Sequence, residues 1–167
     1  MSPIVIFTTT PLKKNAIERL SLGWHPLCSD RGMAQGPKKI LLVEDNADVR
    51  QLLALFISRL GYKVFEAATG LEAIDRASAV RPDLIIMDFR LPGMNGIEAT
   101  RQLKVNSSTK DITVLIITGY SGVDARRALD AGAADILHKP IDITMLGDLL
   151  RRYLSARTKT RRSRRKK

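Results

Sequence analysis

Five short runs rich in apolar residues, each followed by a helix-like segment, constrain the fold of this chain more than any other feature. The runs lie at residues 40–43, 63–67, 84–87, 112–117 and 135–138. In the segment after the first run, Val49, Leu53 and Ile57 recur at the spacing of an amphipathic helix. Apolar strands separated by helices are typical of a parallel sheet covered on both faces. The sequence therefore predicts an α/β domain of five strands and five helices.

Local signals at the helix ends support this division. Gly61 follows the first helical pattern, and Asp142 is a good N-cap for the last one. Thr69 and Glu72 have the spacing of a capping box, which predicts the start of the second helix. We also expect the apolar positions of the first helix, Leu52 among them, to lie in the core.

Charge divides the 167-residue chain into three regions, although its net charge is +11. Residues 1–36 contain four basic and two acidic side chains, and residues 37–150 contain fourteen and fifteen. Residues 151–167 contain ten basic side chains and no acidic one. We predict a poorly ordered extension at 1–36, one domain at 37–155 and a disordered basic tail at 156–167. Met33 begins a sequence that resembles a natural protein start.

Composition excludes several classes of protein. Hydrophobic residues make up 44% of the chain, which is enough to build a core. No apolar run approaches the roughly 18 residues that a membrane-spanning helix needs. A single cysteine, Cys28, excludes an internal disulfide and a cysteine-based metal cluster. We expect a soluble, cytoplasmic protein.

Polar side chains stand at the carboxyl ends of four predicted strands. Those positions are Glu44, Asp45, Asp88, Thr118 and Lys139. In open parallel sheets, ligands bind outside the carboxyl ends of the strands. Three carboxylates there would repel one another unless a cation neutralised them, and Mg²⁺ takes oxygen ligands of this kind.

The remaining groups at this edge favour a charged, tetrahedral anion as the substrate. Lys139 adds a positive charge and Thr118 a hydrogen-bond donor, and both suit phosphoryl oxygens. The set contains no histidine or serine nucleophile, so a carboxylate is the plausible phosphoryl acceptor.

Four motifs, in this order and at these separations, resemble the receiver domain of bacterial response regulators. They are ILLVEDN, DLIIMDFRLPGMNG, IITGY and HKP, within a region from about Lys38 to Leu154. The resemblance implies a flavodoxin-like (βα)5 fold with strand order 2-1-3-4-5. It also implies a stand-alone phosphoacceptor, rather than a classical enzyme, that receives a phosphoryl group from a histidine kinase or phosphotransfer protein.

The resemblance assigns a role to each site residue. Asp88 matches the phosphorylated aspartate, while Asp45 and the backbone carbonyl of Arg90 match direct Mg²⁺ ligands. Glu44 matches the second acidic residue of the metal site. Thr118 and Lys139 match the groups that contact phosphoryl oxygens and report phosphorylation to the protein surface.

Three positions are expected to tune the response. Ile136 stands where receivers commonly have Phe or Tyr as a rotating switch residue, so an aromatic switch is not expected. Tyr120 and Arg90 stand two residues beyond Thr118 and Asp88, where receivers control access to the phosphoryl group.

The basic tail leaves two interpretations open. It is either a solvated charge run or an element that attracts nucleic acid or another polyanion without sequence preference. The second interpretation gives the alternative function, a DNA-associated regulator whose tail is the output element.

Overall fold

The computed structural model describes residues 36–119 and 125–164, with side chains through Ser155. Five strands alternate with five helices, all within the unit Gln35–Lys167. The strands are β1 (Lys39–Val43), β2 (Lys63–Ala67), β3 (Leu84–Asp88), β4 (Thr113–Thr118) and β5 (Asp135–His138). The helices are α1 (Ala47–Arg59), α2 (Gly70–Val80), α3 (Gly96–Val105), α4 (Ala125–Asp130) and α5 (Ile143–Arg164).

The strands form one parallel sheet in the order β2-β1-β3-β4-β5, which confirms the predicted flavodoxin-like topology. The register aligns Val43 of β1 with Met87 of β3, and Asp88 of β3 with Ile117 of β4. It also aligns Thr118 with His138 of β5. The residues at or just beyond these strand ends are therefore neighbours across one edge of the sheet.

Helices cover both faces of the sheet, and the three inner strands β1, β3 and β4 are almost entirely buried. One core cluster joins the sheet to α2, α3 and α4 through small residues such as Ala73, Ala99 and Ala128. The other joins it to α1 and α5 through Ile57 and Leu150. Because helices cover both faces, polar side chains can gather at the carboxyl ends of the strands.

The helix starts agree with the capping signals. The Thr69 hydroxyl accepts a hydrogen bond from Glu72 N, and Glu72 Oε2 accepts one from Ala68 N. Oδ1 of Asp142 accepts hydrogen bonds from the amides of Thr144 and Met145. The contacts of Thr69 and Asp142 satisfy amides that the first helical turn leaves without partners, and the contact of Glu72 satisfies the amide just before the N-cap.

One expectation about the helices was wrong. Leu52 is 63% exposed, because the core contacts of α1 are made by Leu53, Ala54 and Ile57 and Leu52 projects sideways from that stripe. Helix α5 continues to Arg164, past residue 156, where we placed the start of the basic tail. Residues 156–164 contain no glycine or proline, and basic residues favour the carboxyl end of a helix. The extension at 1–36 lies outside the described residues except for Gly36.

None of the helices in the described part of the chain is long and apolar enough to cross a membrane.

Candidate functional site

Three carboxylates meet at the carboxyl edge of the sheet. One oxygen each of Glu44, Asp45 and Asp88 lies within 4.8 Å of the other two. Glu44 is 4% exposed and Asp88 7% exposed, while Asp45 faces solvent. The pairing of β1 with β3 produces this arrangement, since Glu44 directly follows Val43 and Asp88 directly follows Met87. The structure thus brings together the three acidic residues that the sequence placed at strand ends.

Lys139 lies between the two buried carboxylates. Its Nζ is 2.7 Å from Glu44 Oε2 and 2.9 Å from Asp88 Oδ2. Burial alone would lower the pKa of the Lys139 ammonium, but the hydrogen bonds and charges of Glu44 and Asp88 outweigh it and raise that pKa. Burial raises the pKa of Glu44, with Asp88 adding to the effect and Lys139 opposing it. Lys139 therefore neutralises part of an acidic site that burial makes costly.

Thr118 ends β4 beside this cluster and is 1% exposed. Its carbonyl oxygen accepts a 2.7 Å hydrogen bond from the backbone N–H of Lys139. The peptide between Lys139 and Pro140 is cis. The backbone bond fixes the start of the loop that contains Lys139 against the end of β4.

The tuning residues lie around the cluster. Arg90 N is 3.4 Å from Asp88 Oδ1, a long hydrogen bond, and the Arg90 residue is exposed. Ile136 is half-buried and packs against the core on the α2, α3 and α4 side of the sheet. Tyr120 lies outside the described residues.

Arg50 is a site neighbour that the sequence analysis missed. Its Nη1 donates to the carbonyl oxygens of Glu44 at 2.7 Å and Asp45 at 3.3 Å, and its Nε lies 3.2 Å from Glu66 Oε2. The only sequence signal was a basic residue one turn after Asn46, which caps α1. That signal does not show that the side chain turns back to the loop before the helix.

Gly96 was also missed. Its N–H donates to Phe89 O at 2.8 Å, and a Cβ at this position would overlap the carbonyl oxygen of Asp88. The start of α3 thus approaches the backbone of Asp88 more closely than any larger residue allows. The adjacent Asn95 cap was the available signal, since its side chain accepts from Glu98 N.

The donor set fits a magnesium ion. All three side chains offer carboxylate oxygens, the ligand type that Mg²⁺ prefers, and Mg²⁺ usually keeps several waters beside one or two carboxylates. Asp45 is exposed, which leaves the cluster open to solvent on that side. Glu44, Asp45 and Asp88 are the side chains that would hold the ion.

This chain is similar in sequence to known proteins. The family model described as "Response regulator receiver domain" matches residues 40–151. Sporulation initiation phosphotransferase F of Bacillus subtilis is 38% identical over 70% of this chain and 94% of its own. The polar-differentiation response regulator DivK of Brucella anthropi is 34% identical over 71% of this chain and 97% of its own. The match to response regulator MprA of Mycolicibacterium vanbaalenii spans about half of that longer protein, 52%.

This chain is also similar in fold to solved structures. Chemotaxis protein CheY4 of Vibrio cholerae is 31% identical, with a TM-score of 0.67 over 71% of this chain and all of its own. The receiver domain of sensor histidine kinase PA1611 of Pseudomonas aeruginosa, solved with a coordinated magnesium ion, is 32% identical. Its TM-score is 0.67, covering 72% of this chain and 99% of that one. From the family match and these relatives, the chain belongs to the response regulator receiver domains of bacterial two-component systems.

Proposed function

We propose that Asp88 is the phosphoryl acceptor of this response regulator. The observation that supports it most directly is the placement of a buried Asp88 carboxylate against Lys139, within the cluster that also contains Glu44 and Asp45. Asp88 is the carboxylate that ends the central strand β3, with paired strands on both sides. The site therefore surrounds one carboxylate with charged groups of both signs.

The proposed reaction transfers a phosphoryl group from a phosphohistidine of a partner kinase or phosphotransfer protein. A carboxylate oxygen of Asp88 attacks phosphorus, and a new O–P bond forms as the N–P bond breaks. The electron pair of the broken bond returns to the imidazole nitrogen, so the product is an acyl phosphate and no water is consumed. The similarity to a sporulation phosphotransferase supports a phosphorelay partner of this kind.

Magnesium is the proposed cofactor, held by Glu44, Asp45, Asp88 and the carbonyl of Arg90. When bound, the ion neutralises charge on the phosphoryl oxygens and supplies Lewis-acid chemistry. The similarity to a receiver structure with coordinated magnesium supports this assignment.

Lys139 and Thr118 are the proposed phosphoryl contacts. The Lys139 ammonium already pairs with Asp88, so it stands beside the position where an equatorial phosphoryl oxygen would carry charge. Thr118 offers a hydroxyl at the end of the next strand. A contact formed by both residues after transfer would favour a second arrangement of the β4 to α5 surface, in which Ile136 takes part.

The acceptor assignment is tested by phosphorylation with a small phosphoramidate donor, followed by intact mass. We expect magnesium-dependent addition of one phosphoryl group to the full chain and none to Asp88→Asn. Asp75→Asn is the control, because it makes the same chemical change at an exposed carboxylate of α2. Phosphorylation of Asp88→Asn at the wild-type level would reject the assignment.

As a second function, we propose that the basic carboxyl-terminal segment attracts nucleic acid. Two observations favour it over a solvated charge run: α5 continues as a helix to Arg164, and residues 151–167 include ten basic and no acidic residues. No aromatic residue follows Tyr153, so base stacking is not available there. Contact with phosphates is then the expected mode of binding, without sequence preference.

Electrophoretic shifts across a salt series test this second function. We expect the full chain to bind unrelated DNA duplexes alike, with affinity falling steeply as salt rises, and a chain ending at Ser155 to bind much more weakly. Equal binding by the two chains, or no binding at low salt, would reject a role for the segment.

A further inference from the structure

We infer that Arg50 is a positioning residue that holds the acidic loop in the geometry needed for magnesium. The inference rests on the proposed function, because it assigns Arg50 a role toward the same site. Arg50 itself is not a proposed ligand. It acts on the backbone of Glu44 and Asp45, the two residues of the site that belong to the loop between β1 and α1.

One guanidinium makes all the contacts on which the inference depends. Nη1 binds the carbonyl oxygens of Glu44 and Asp45, and Nε binds the carboxylate of Glu66 in β2. The Arg50 side chain is only 19% exposed, and that of Glu66 44%. The guanidinium thus ties the loop to α1 and β2 at once.

Arg50 donates to the loop carbonyls of Glu44 and Asp45, while neighbouring groups of the loop have other partners. Glu44 N donates to Ala67 O at 3.1 Å, which continues the pairing of β1 with β2. Asn46 uses its own side chain to cap α1 at Asp48 N and Val49 N. The amide of Glu44 and the side chain of Asn46 are therefore engaged elsewhere, while Arg50 orients the peptide planes between them. Those planes set the directions in which the Glu44 and Asp45 side chains leave the backbone, and the Glu44 carboxylate is also held by Lys139 Nζ and by the backbone N–H of Asn46.

A geometric role and an electrostatic role predict opposite signs for magnesium affinity. If Arg50 acted only through its positive charge, its removal would relieve repulsion of Mg²⁺ and strengthen binding. If it positions the loop, removal loosens the ligands and weakens binding. Arg50→Lys separates the two roles further. A lysine keeps the positive charge but cannot contact the loop carbonyls and Glu66 together, as the forked guanidinium does.

The test is isothermal titration of the full chain with MgCl₂ at fixed ionic strength. Groups that orient metal ligands typically change metal affinity by about 10–100-fold when mutated. We expect Arg50→Gln and Arg50→Lys each to weaken magnesium binding by about tenfold, at the lower end of that range. Glu66→Gln should cause a smaller loss in the same direction. Arg59→Gln is the matched control, since it removes the same charge from an exposed position of α1 and should leave affinity unchanged.

Wild-type affinity in Arg50→Lys, or tighter binding in Arg50→Gln, would overturn the inference. Circular dichroism and a melting temperature without magnesium accompany each variant. If Arg50→Gln does not fold, Arg50→Lys and Glu66→Gln decide the question. Failure of the proposed metal site gives a different result. The wild type would then show no magnesium binding, and Asp45→Asn would behave like the wild type. If the wild type binds magnesium and Arg50→Gln changes the affinity no more than Arg59→Gln does, the positioning role is refuted and the proposed metal site is not.

Discussion

The ammonium of Lys139 lies 2.9 Å from the Asp88 carboxylate, although the two residues are 51 positions apart in sequence. Asp88 is the last residue of β3 and Lys139 directly follows β5, with β4 between the two strands in the sheet. The fold therefore provides a buried acidic residue with a cation that comes from a different βα unit. This relationship underlies the first prediction.

Lys139→Gln should slow phosphorylation of Asp88 by about 100-fold while leaving the fold intact. The variant loses the positive charge beside the reacting carboxylate, and removal of one such donor typically costs about 10²–10³ in rate. Rates with a phosphoramidate donor at saturating magnesium measure the effect. Lys110→Gln, an exposed lysine, is the control. A Lys139→Gln rate within twofold of wild type would contradict the charge role.

Asp45→Asn should weaken magnesium binding strongly and raise the magnesium concentration needed for phosphorylation. Asparagine preserves the size of the exposed side chain but removes the negative charge that attracts the ion. A magnesium titration of the phosphorylation rate checks this, beside Asp75→Asn as the matched change. If the two variants have the same magnesium dependence, Asp45 is not a ligand.

Gly96→Ala should destabilise the domain by about 1–3 kcal/mol, the usual cost of overpacking. The added Cβ would overlap the carbonyl oxygen of Asp88, so α3 or the end of β3 has to shift. Urea unfolding measures the change. Gly119→Ala is the control near the same site, where a Cβ would meet Lys139 carbons at ordinary distances of 3.7 and 3.8 Å. Equal stabilities for the two variants would contradict the close approach at Gly96.

Glu72 should stabilise the domain in a pH-dependent way. The hydrogen bond from Ala68 N holds the pKa of Glu72 below its ordinary value, and Arg76 adds to the effect. Its stabilisation is therefore fully present above the unfolded pKa, about 4.3, and is lost as pH falls through the lower folded pKa. Urea unfolding should show Glu72→Gln to be less stable than wild type near neutral pH, with the difference shrinking in acid.

Glu98→Gln provides the comparison, because Glu98 occupies the corresponding position of α3 and is exposed. We expect a smaller stability change there at neutral pH. A Glu72→Gln difference that stays constant from neutral pH into acid would exclude the carboxylate as its cause.

The sequence predicted the features that depend on local pattern and on strand ends. Asp88 and Glu44 were identifiable because each directly follows a buried apolar strand, and parallel strands bring such positions to one edge. The capping box at Thr69 was identifiable because it is a contact between residues only three positions apart in sequence.

Features that depend on where a side chain points in the folded domain were not predictable in this way. The Arg50 side chain turns back to two carbonyls before its own helix, and periodicity does not describe such a turn. Leu52 fits a helical apolar spacing, but only the position of the sheet decides which edge of α1 is covered. Helix α5 continues to Arg164 through residues that include no glycine or proline, a feature that apolar periodicity does not indicate.

The central claim is that Asp88 accepts the phosphoryl group, and borohydride trapping tests it most directly. Reduction of an acyl phosphate converts the modified aspartate to homoserine, which mass spectrometry locates in the tryptic peptide 77–90. That peptide also contains Asp83, which pairs with Lys38 and serves as an internal control. We predict homoserine at Asp88 only, and only after treatment with donor and magnesium. Homoserine at Asp83 or elsewhere, with Asp88 unchanged, would contradict the account.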